Sequence, residues 1–253
     1  MHGPAPTNDG AATGRTRQRR IRRGLAAWGA ALVVLVVVFV FDSAAYHVLL
    51  VGKGAVEGRW WYWVVRQMGS LTAWAPAAVL VGVATPGSWR RRVRAGAAVF
   101  VAAGLGGLLA EVLKPVIGRE RPLHHDGVSV FRPLAGRFDG GLGFPSSHVG
   151  VAFGGAWMLW RLARSRVTRS AGAGLAVRSP WVWAGVLAIV LAVACATSRT
   201  LTGAHFLSDV VAGGMLGVLA ADALGWWLTP ARARRRPGLW LPRRRRRPDS
   251  GTA

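Results

Sequence analysis

Cysteine and acidic side chains are scarce in this chain of 253 residues. The single cysteine, Cys195, excludes a disulfide within the chain, and its place inside an apolar run indicates a buried thiol. Ten Asp and Glu residues stand against 33 Lys and Arg, which gives a formal net charge of +23. Because carboxylates are the usual ligands of hard divalent cations, their scarcity disfavours a metal centre. The sequence also contains no recognisable soluble domain, internal repeat or linker between two cores.

Long apolar runs dominate the chain instead. The composition is 52% hydrophobic with 13 Trp, and the mean hydropathy is +0.31. Six runs of about 17 to 24 residues are each long enough, at ~1.5 Å per residue, to cross a hydrocarbon core of ~30 Å. They are residues 25–41, 70–86, 95–114, 146–162, 181–197 and 205–228. The sequence therefore predicts an all-α fold, a six-transmembrane helical bundle.

The positions of the arginines predict the orientation of this bundle. Most basic residues fall in four segments, which are residues 15–23, 90–94, 161–178 and 232–247. With six spans, these segments lie on one side of the membrane, and short basic loops stay cytoplasmic. We therefore expect a multi-pass protein of the cell (plasma) membrane with both termini in the cytoplasm. Attraction to anionic lipid explains the charge better than nucleic-acid binding, so no nucleic-acid partner is expected.

One membrane domain is expected between two basic tails. Residues 1–24 and 229–253 are expected to be disordered and cytoplasmic, because such charged, low-complexity segments cannot bury a core. Residues 25–228 form the predicted six-helix domain, with the chemical motifs in residues 95–228. Small residues after the first run resemble a signal-peptide cleavage site, but the run exceeds the ~7 to 15 apolar residues of a signal peptide. This length favours a retained anchor.

The first polar motif, Lys114-x6-Arg121-Pro122, follows the third apolar run. Pro115 is expected to end the helix, so that Lys114 and Arg121 bracket a loop. Two cations placed in this way can hold one anion, and the guanidinium of arginine fits a phosphate with two parallel hydrogen bonds.

The second motif is the segment Gly-Phe-Pro-Ser-Ser-His, which ends at His148 and precedes the fourth run. Pro and Ser are typical of helix starts, so the backbone N–H groups of Ser146, Ser147 and His148 are expected to point out of a helix N-terminus. Such an end favours an anion. The alternative is an ordinary serine cap with a structural histidine.

The third motif, Ser198-Arg199-x5-His205-x3-Asp209, joins the last two runs. Arg and Asp at the rim of a membrane cost roughly 2.5 to 3.5 kcal/mol each, so a function is expected for them. Residues four apart share a helix face, so Asp209 can accept a hydrogen bond from one imidazole nitrogen of His205. The other nitrogen is then oriented as a nucleophile or base.

The predicted topology puts all three motifs on the outer face. In this order on a six-span chain, Lys-x6-Arg-Pro, Pro-Ser-x-His and Ser-Arg-x5-His-x3-Asp resemble the type 2 phosphatidic acid phosphatase superfamily. This superfamily also includes vanadium haloperoxidases and glucose-6-phosphatase-like enzymes. The resemblance covers residues 95–228, and its one departure is Ser147 in place of the usual glycine, which keeps the backbone donor.

The resemblance implies a metal-independent lipid phosphatase without a cofactor, with its site at the extracytoplasmic membrane interface. His205 is expected to attack phosphorus and form a phosphohistidine, while Asp209 fixes the ring tautomer. His148 is expected to protonate the leaving oxygen and then to activate water. The expected phosphate-binding residues are Lys114, Arg121, Ser146, Ser147 and Arg199.

The expected substrate is a lipid phosphate whose tail stays in the bilayer. Polyprenyl diphosphate is the first candidate, and phosphatidic acid or phosphatidylglycerol phosphate are the others. A phosphotransferase using the same site and a non-enzymatic lipid-binding or transport protein are alternatives, whereas six spans argue against a soluble haloperoxidase. A metal cluster of the site histidines with His124, His125 or Asp126 is disfavoured, since the surrounding cations repel a divalent ion. The oligomeric state is left open.

Residues outside the motifs have structural interpretations. Glu111 lies one turn before Lys114 and is expected to pair with it. Asp222, inside the last run, is expected at an interhelical pair or an interface. The aromatic segment 60–63 is expected to form an interfacial belt, with a lipid-tail entrance as the alternative.

Overall fold

The computed structural model describes residues 9–135, 141–170 and 179–228, which form α-helices, one short 3-10 helix and no β-strand. The predicted all-α class is therefore confirmed. The helices are α1 (Asp9–Val40), α2 (Asp42–Leu49), α3 (Lys53–Glu57), α4 (Trp60–Gln67), α5 (Leu71–Val83), α6 (Trp89–Ile117), α7 (Ser147–Ser170), α8 (Pro180–Leu201) and α9 (Leu207–Leu228). The 3-10 helix spans Pro122–His124 between α6 and α7.

The chain divides into two compact units. One comprises residues 1–29 and 227–253, of which the structure describes the start of α1 and the last two residues of α9. The other comprises residues 30–226 and contains every residue of the site described below.

Glycines let helices α6, α7 and α9 cross with their backbones in direct contact. A Cβ added at Gly106 would stand 2.3 Å from the carbonyl oxygen of Gly150 and 3.0 Å from the Cα of Gly217. No larger residue fits at such a crossing, which is how small residues serve helix packing in membranes. Helix α7 also packs against α8, and α6 packs against α5. The last turn of α6 and the first turns of α7 and α9 consequently meet at one end of the bundle.

Each of the six predicted apolar runs contains a helix, but fewer helices are long and apolar enough to cross a membrane. Within the described part of the chain, these are α6, α8 and α9. The number rises to four if Gly24–Val40 and Asp42–Leu49, two helical segments bent by 70°, are counted as one span. Helix α5 has only 13 residues. Helix α7 is not apolar enough over its length, since polar and basic side chains flank a short apolar stretch. The count of six spans stays a prediction.

Two local features differ from expectation. Residues 9–24, expected to be disordered, belong to α1, because Ala and Arg are strong helix formers. The remaining tail residues, 1–8 and 229–253, lie outside the described residues. Helix α6 does not end at Pro115 but continues to Ile117, since a proline in the last turn removes only one hydrogen bond. Gly118, with φ +66°, ends it and donates its N–H to the carbonyl of Lys114.

Candidate active site

The three sequence motifs meet at one end of the bundle. The ammonium of Lys114, in the last turn of α6, donates to the hydroxyl of Ser147 at the start of α7 over 3.1 Å. The N–H of Ser146 donates to the carbonyl of Asp209 over 2.9 Å. The N–H of His205 donates to the carbonyl of Arg199 over 3.2 Å, which closes the turn between α8 and α9. Residues far apart in the chain thus form a single cluster.

The imidazole of His205 lies beside the carboxylate of Asp209. Nδ1 of His205 is 3.4 Å from Oδ2 of Asp209, and both side chains are buried. The angle between them is not that of a hydrogen bond, and Nδ1 has no hydrogen-bond partner among the described residues. The same carboxylate oxygen accepts the N–H of Phe206 over 3.0 Å. The carboxylate therefore caps the first turn of α9 and faces one side of the ring.

His148 lies on the first turn of α7, against the backbone between α4 and α5. A Cβ added at Gly69 would stand 2.8 Å from the Cβ of His148, so only glycine lets the two segments approach this closely. The bond between Ser146 and Asp209 brings the segments of His148 and His205 together, so both imidazoles lie at this end of the bundle.

Three predicted cations lie near His205. Arg199, Arg121 and Lys114 all act electrostatically on its ring. Arg199 is 7% exposed, and the Lys114 side chain is 12% exposed. Cations held in this way inside a protein interact strongly with an anion, because little water screens them.

Several buried donors at the site lack a protein partner. Within the described ranges, Nε of Arg121, Nε of Arg199 and Oγ of Ser146 make no hydrogen bond although they are buried. Ser146 therefore does not cap α7 with its hydroxyl, as a structural serine would. Buried polar groups are normally paired, so three unpaired donors around one histidine fit the binding of an anion with several oxygens.

The amine of Lys114 is held from two sides. It lies 2.6 Å from Oε1 of Glu111, in addition to its bond with Ser147, so the predicted pair on α6 is confirmed. Arg199 is held by Tyr62, whose hydroxyl accepts from Nη1 over 3.4 Å and donates to Glu57 over 3.1 Å. Burial raises the pKa of the Tyr62 phenol, so it remains a donor at neutral pH. Both contacts orient the cations toward the cluster.

An open groove begins at the site. It has a volume of about 260 Å³ and starts at Ser147, His148 and Glu111. From there it follows small and apolar residues between α6 and α7, including Gly104, Gly107, Leu108 and Val151. Polar side chains of the cluster thus adjoin the apolar lining of the groove.

Sequence patterns missed one part of the cluster. Arg119 is fully buried, although it lies among the six unspecified positions between Lys114 and Arg121. Its Nη1 lies 3.0 Å from Oδ1 of Asp209, and its Nη2 lies 2.8 Å from Oδ2 of Asp42. The only sequence signal was an acid, Asp42, directly after the first apolar run.

Other predicted features have plain structural roles. Cys195 is buried in α8, as expected. Asp222 on α9 pairs with Arg161 and accepts from Trp157, both on α7, which confirms an interhelical pair. Tyr62 departs from the expected aromatic belt because it is fully buried, whereas Trp60 is 78% exposed.

A separate group of charged side chains lies in the segment between α6 and α7. Nε2 of His125 contacts Oε2 of Glu120 at 2.5 Å, and Arg132 lies 3.3 Å from the other oxygen of that carboxylate. The hydrogen bond with His125 lowers the pKa of Glu120. No group of three His, Cys, Asp or Glu side chains that could hold a metal ion occurs in the described segments.

Known proteins with similar sequences are phosphatases. Two similar curated proteins are a lipid A 1-phosphatase of Rhizobium etli, 36% identical over 129 residues, and a lipid A 4'-phosphatase of Bacteroides thetaiotaomicron, 30% identical over 118 residues. These matches cover 48% and 46% of this chain and 45% and 43% of the relatives, so the chain spans less than half of their length.

A similar solved structure is the transmembrane PAP2 type phosphatidylglycerolphosphate phosphatase from Bacillus subtilis. It has a TM-score of 0.51 and 22% identity, and the match covers 78% of this chain and 94% of that one. At this identity the likeness concerns the fold. Residues 95–234, which contain all three motifs, match the PAP2 superfamily, and the chain therefore belongs to that family.

Proposed function

We propose that this protein is an integral membrane phosphatase that hydrolyses a lipid phosphate through a phosphohistidine intermediate. The observation that carries the proposal is the convergence of His205 and His148 with three cations and with buried donors that have no hydrogen-bond partner among the described residues. Nucleophile, acid and anion-binding groups are the parts that phosphoryl transfer requires.

His205 is the proposed nucleophile. Because Nδ1 lies 3.4 Å from Oδ2 of Asp209, we take Nε2 as the nitrogen that attacks phosphorus. Attack forms the bond between nitrogen and phosphorus and breaks the bond to the lipid oxygen, which takes a proton from His148. Water, deprotonated by His148, then attacks the phosphohistidine, releases phosphate and restores His205.

The cations are proposed to hold the equatorial oxygens. Lys114, Arg121 and Arg199 supply fixed positive charge, and Ser146, Ser147 and the N-terminus of α7 supply further donors. Positive charge that is held before the reaction begins stabilises the transition state without reorganisation.

The groove supports a lipid substrate. It starts at His148, the proposed donor to the leaving group, so a lipid leaving group would extend into apolar surroundings. The proposal places this end of a six-span bundle at the extracytoplasmic face of the cell membrane, with both termini in the cytoplasm, because along the sequence the arginine clusters flank the opposite ends of the apolar runs.

The proposed substrates are lipids that carry a terminal phosphate. Polyprenyl diphosphate is our first candidate, followed by phosphatidic acid and phosphatidylglycerol phosphate, and the names of the relatives add lipid A phosphates to the panel. All of them present a terminal phosphate on an apolar anchor.

Phosphate release by the purified full chain in detergent tests the proposal. The assay compares the four lipid phosphates for the wild type, His205→Ala and the control His124→Ala, which alters an exposed histidine. At least one substrate is expected to be hydrolysed, with a loss of ~10³-fold or more in His205→Ala and none in the control. Appreciable turnover by folded His205→Ala would refute the mechanism, and no release from any substrate by the wild type would refute the function.

A further inference from the structure

Arg119 forms ion pairs with two carboxylates, those of Asp42 and Asp209. We propose that it is a positioning residue that orients Asp209 toward His205. The inference rests on the proposed function and adds a part that the family motifs do not contain. The guanidinium is fully buried between Asp42 of α2 and Asp209 of α9. It therefore links the region after the first apolar run to the catalytic turn.

The two oxygens of Asp209 have separate partners. Oδ1 accepts from Nη1 of Arg119 over 3.0 Å, while Oδ2 accepts from the N–H of Phe206 and lies 3.4 Å from His205. A carboxylate held at both oxygens cannot rotate about its last bond. Oδ2 consequently stays on the histidine side, where it can stabilise the imidazolium that forms.

Asp42 fixes Arg119 in turn. Its Oδ2 forms an ion pair with Nη2 of Arg119 at 2.8 Å, and its Oδ1 accepts the N–H of Ser208 over 2.9 Å. The hydroxyl of Ser208 also donates to Asp42 and accepts from Nη1 of Arg119. Asp42 thus caps the first turn of α9 from a remote part of the chain, next to the residue that Arg119 orients.

The shape and charge of arginine suit this position. The side chain faces two carboxylates that are at most 2% exposed, and its carbon Cζ lies 3.9 Å from the ring centre of Phe206. A planar fork can bond both acids and stack on a ring at once, whereas the ammonium of lysine is a single point. Both terminal nitrogens of Arg119 contact protein groups, which are Asp209 and Ser208 on one side and Ser129 and Asp42 on the other.

The test compares Arg119→Lys and Asp42→Asn with Arg132→Lys, a control at an arginine whose side chain is 62% exposed. All three full-length proteins are purified in detergent, and their folding is checked by thermal melting and gel filtration. We expect kcat to fall about 10- to 100-fold in the first two variants, as for other groups that orient a catalytic ligand. KM is expected to change little, since substrate-binding groups are intact, and the control is expected to match the wild type.

A double-mutant cycle separates positioning from a general structural role. If Arg119 and Asp42 act through Asp209, neither substitution lowers kcat further once Asp209→Asn is present. Additional losses that multiply with that of Asp209→Asn would overturn the inference. Wild-type kcat in folded Asp42→Asn would overturn it as well, even if Arg119→Lys does not fold.

A failure of the proposed function and a failure of the proposed role of Arg119 give different results. If the wild type releases no phosphate from any lipid, the proposed function fails and this inference falls with it. If the wild type is active and Arg119→Lys and Asp42→Asn keep its kcat, only the role of Arg119 is wrong.

Discussion

Gly213 packs directly against the backbone of Ser146, and this contact joins α9 to the start of α7. A Cβ at Gly213 would stand 2.3 Å from the carbonyl oxygen of Ser146. The contact lies one turn beyond Asp209, whose carbonyl accepts the N–H of Ser146. The proposed phosphate-binding segment and Asp209 are therefore held at a fixed separation by the absence of a side chain.

Gly213→Ala is expected to lower stability by about 1 to 3 kcal/mol and to reduce kcat, because the added methyl group pushes α9 away from Ser146. Gly214→Ala is the matched control, since a Cβ there would meet Phe153 at an ordinary 3.5 Å. Thermal melting in detergent and phosphate release check both variants. Equal behaviour of the two alanines would contradict the close contact.

Lys114→Met is expected to reduce kcat/KM about 10²- to 10³-fold, as the loss of one preorganised donor to a developing charge does elsewhere. Lys53→Met changes an exposed lysine of α3 and serves as the control. Steady-state kinetics on the best lipid phosphate give the comparison. If Lys114→Met kept the wild-type kcat/KM, the amine would have no part in phosphate binding.

A chelator is expected to leave activity unchanged, because three protein cations supply the charge that a metal ion would otherwise supply. Vanadate, which resembles the transition state of phosphoryl transfer, is expected to inhibit phosphate release. Phosphate release is measured after dialysis against the chelator, with and without added Mg²⁺ or Zn²⁺. Loss of activity on chelation and its recovery with one metal would contradict this prediction.

Glu120→Gln is expected to alter the pH dependence of stability. The hydrogen bond with His125 lowers the pKa of Glu120 below its ordinary value of 4.5, so the folded state binds this proton less readily than the unfolded state. The resulting stabilisation is present above about pH 4.5 and is lost as the pH falls through the lowered pKa.

Melting temperatures between pH 7 and pH 3 check this. The wild type is expected to exceed Glu120→Gln in the upper part of the range, and the gap is expected to close toward acid. A gap that keeps the same size at pH 3 would show that the carboxylate contributes through packing instead of charge.

Much of the candidate site was readable from the sequence because its chemistry occurs in compact motifs. Three-residue spacing on α6 predicted the pair of Glu111 and Lys114. His205 and Asp209 do lie close together, but His205 precedes α9 instead of sharing a helix face with Asp209, and the expected hydrogen bond is not formed. The roles of these side chains in catalysis stay predictions.

The continuation of α6 could not be read in this way. Proline was expected to break the helix at Pro115, yet Gly118 ends it, because only the positive φ of that glycine turns the chain away. Arg119 then enters the protein and Arg121 joins the cations around His205.

The sequence by itself determined the helical class, the apolar runs and the three motifs, since each is set by hydropathy and spacing along one short segment. Tertiary structure alone decided that Asp42, Arg119 and Asp209 form one buried network. The physical reason is that pairing between residues far apart in the chain depends on how close the helices come. Glycines at the crossing of α6, α7 and α9 set that distance, and no local pattern reports which glycines face each other.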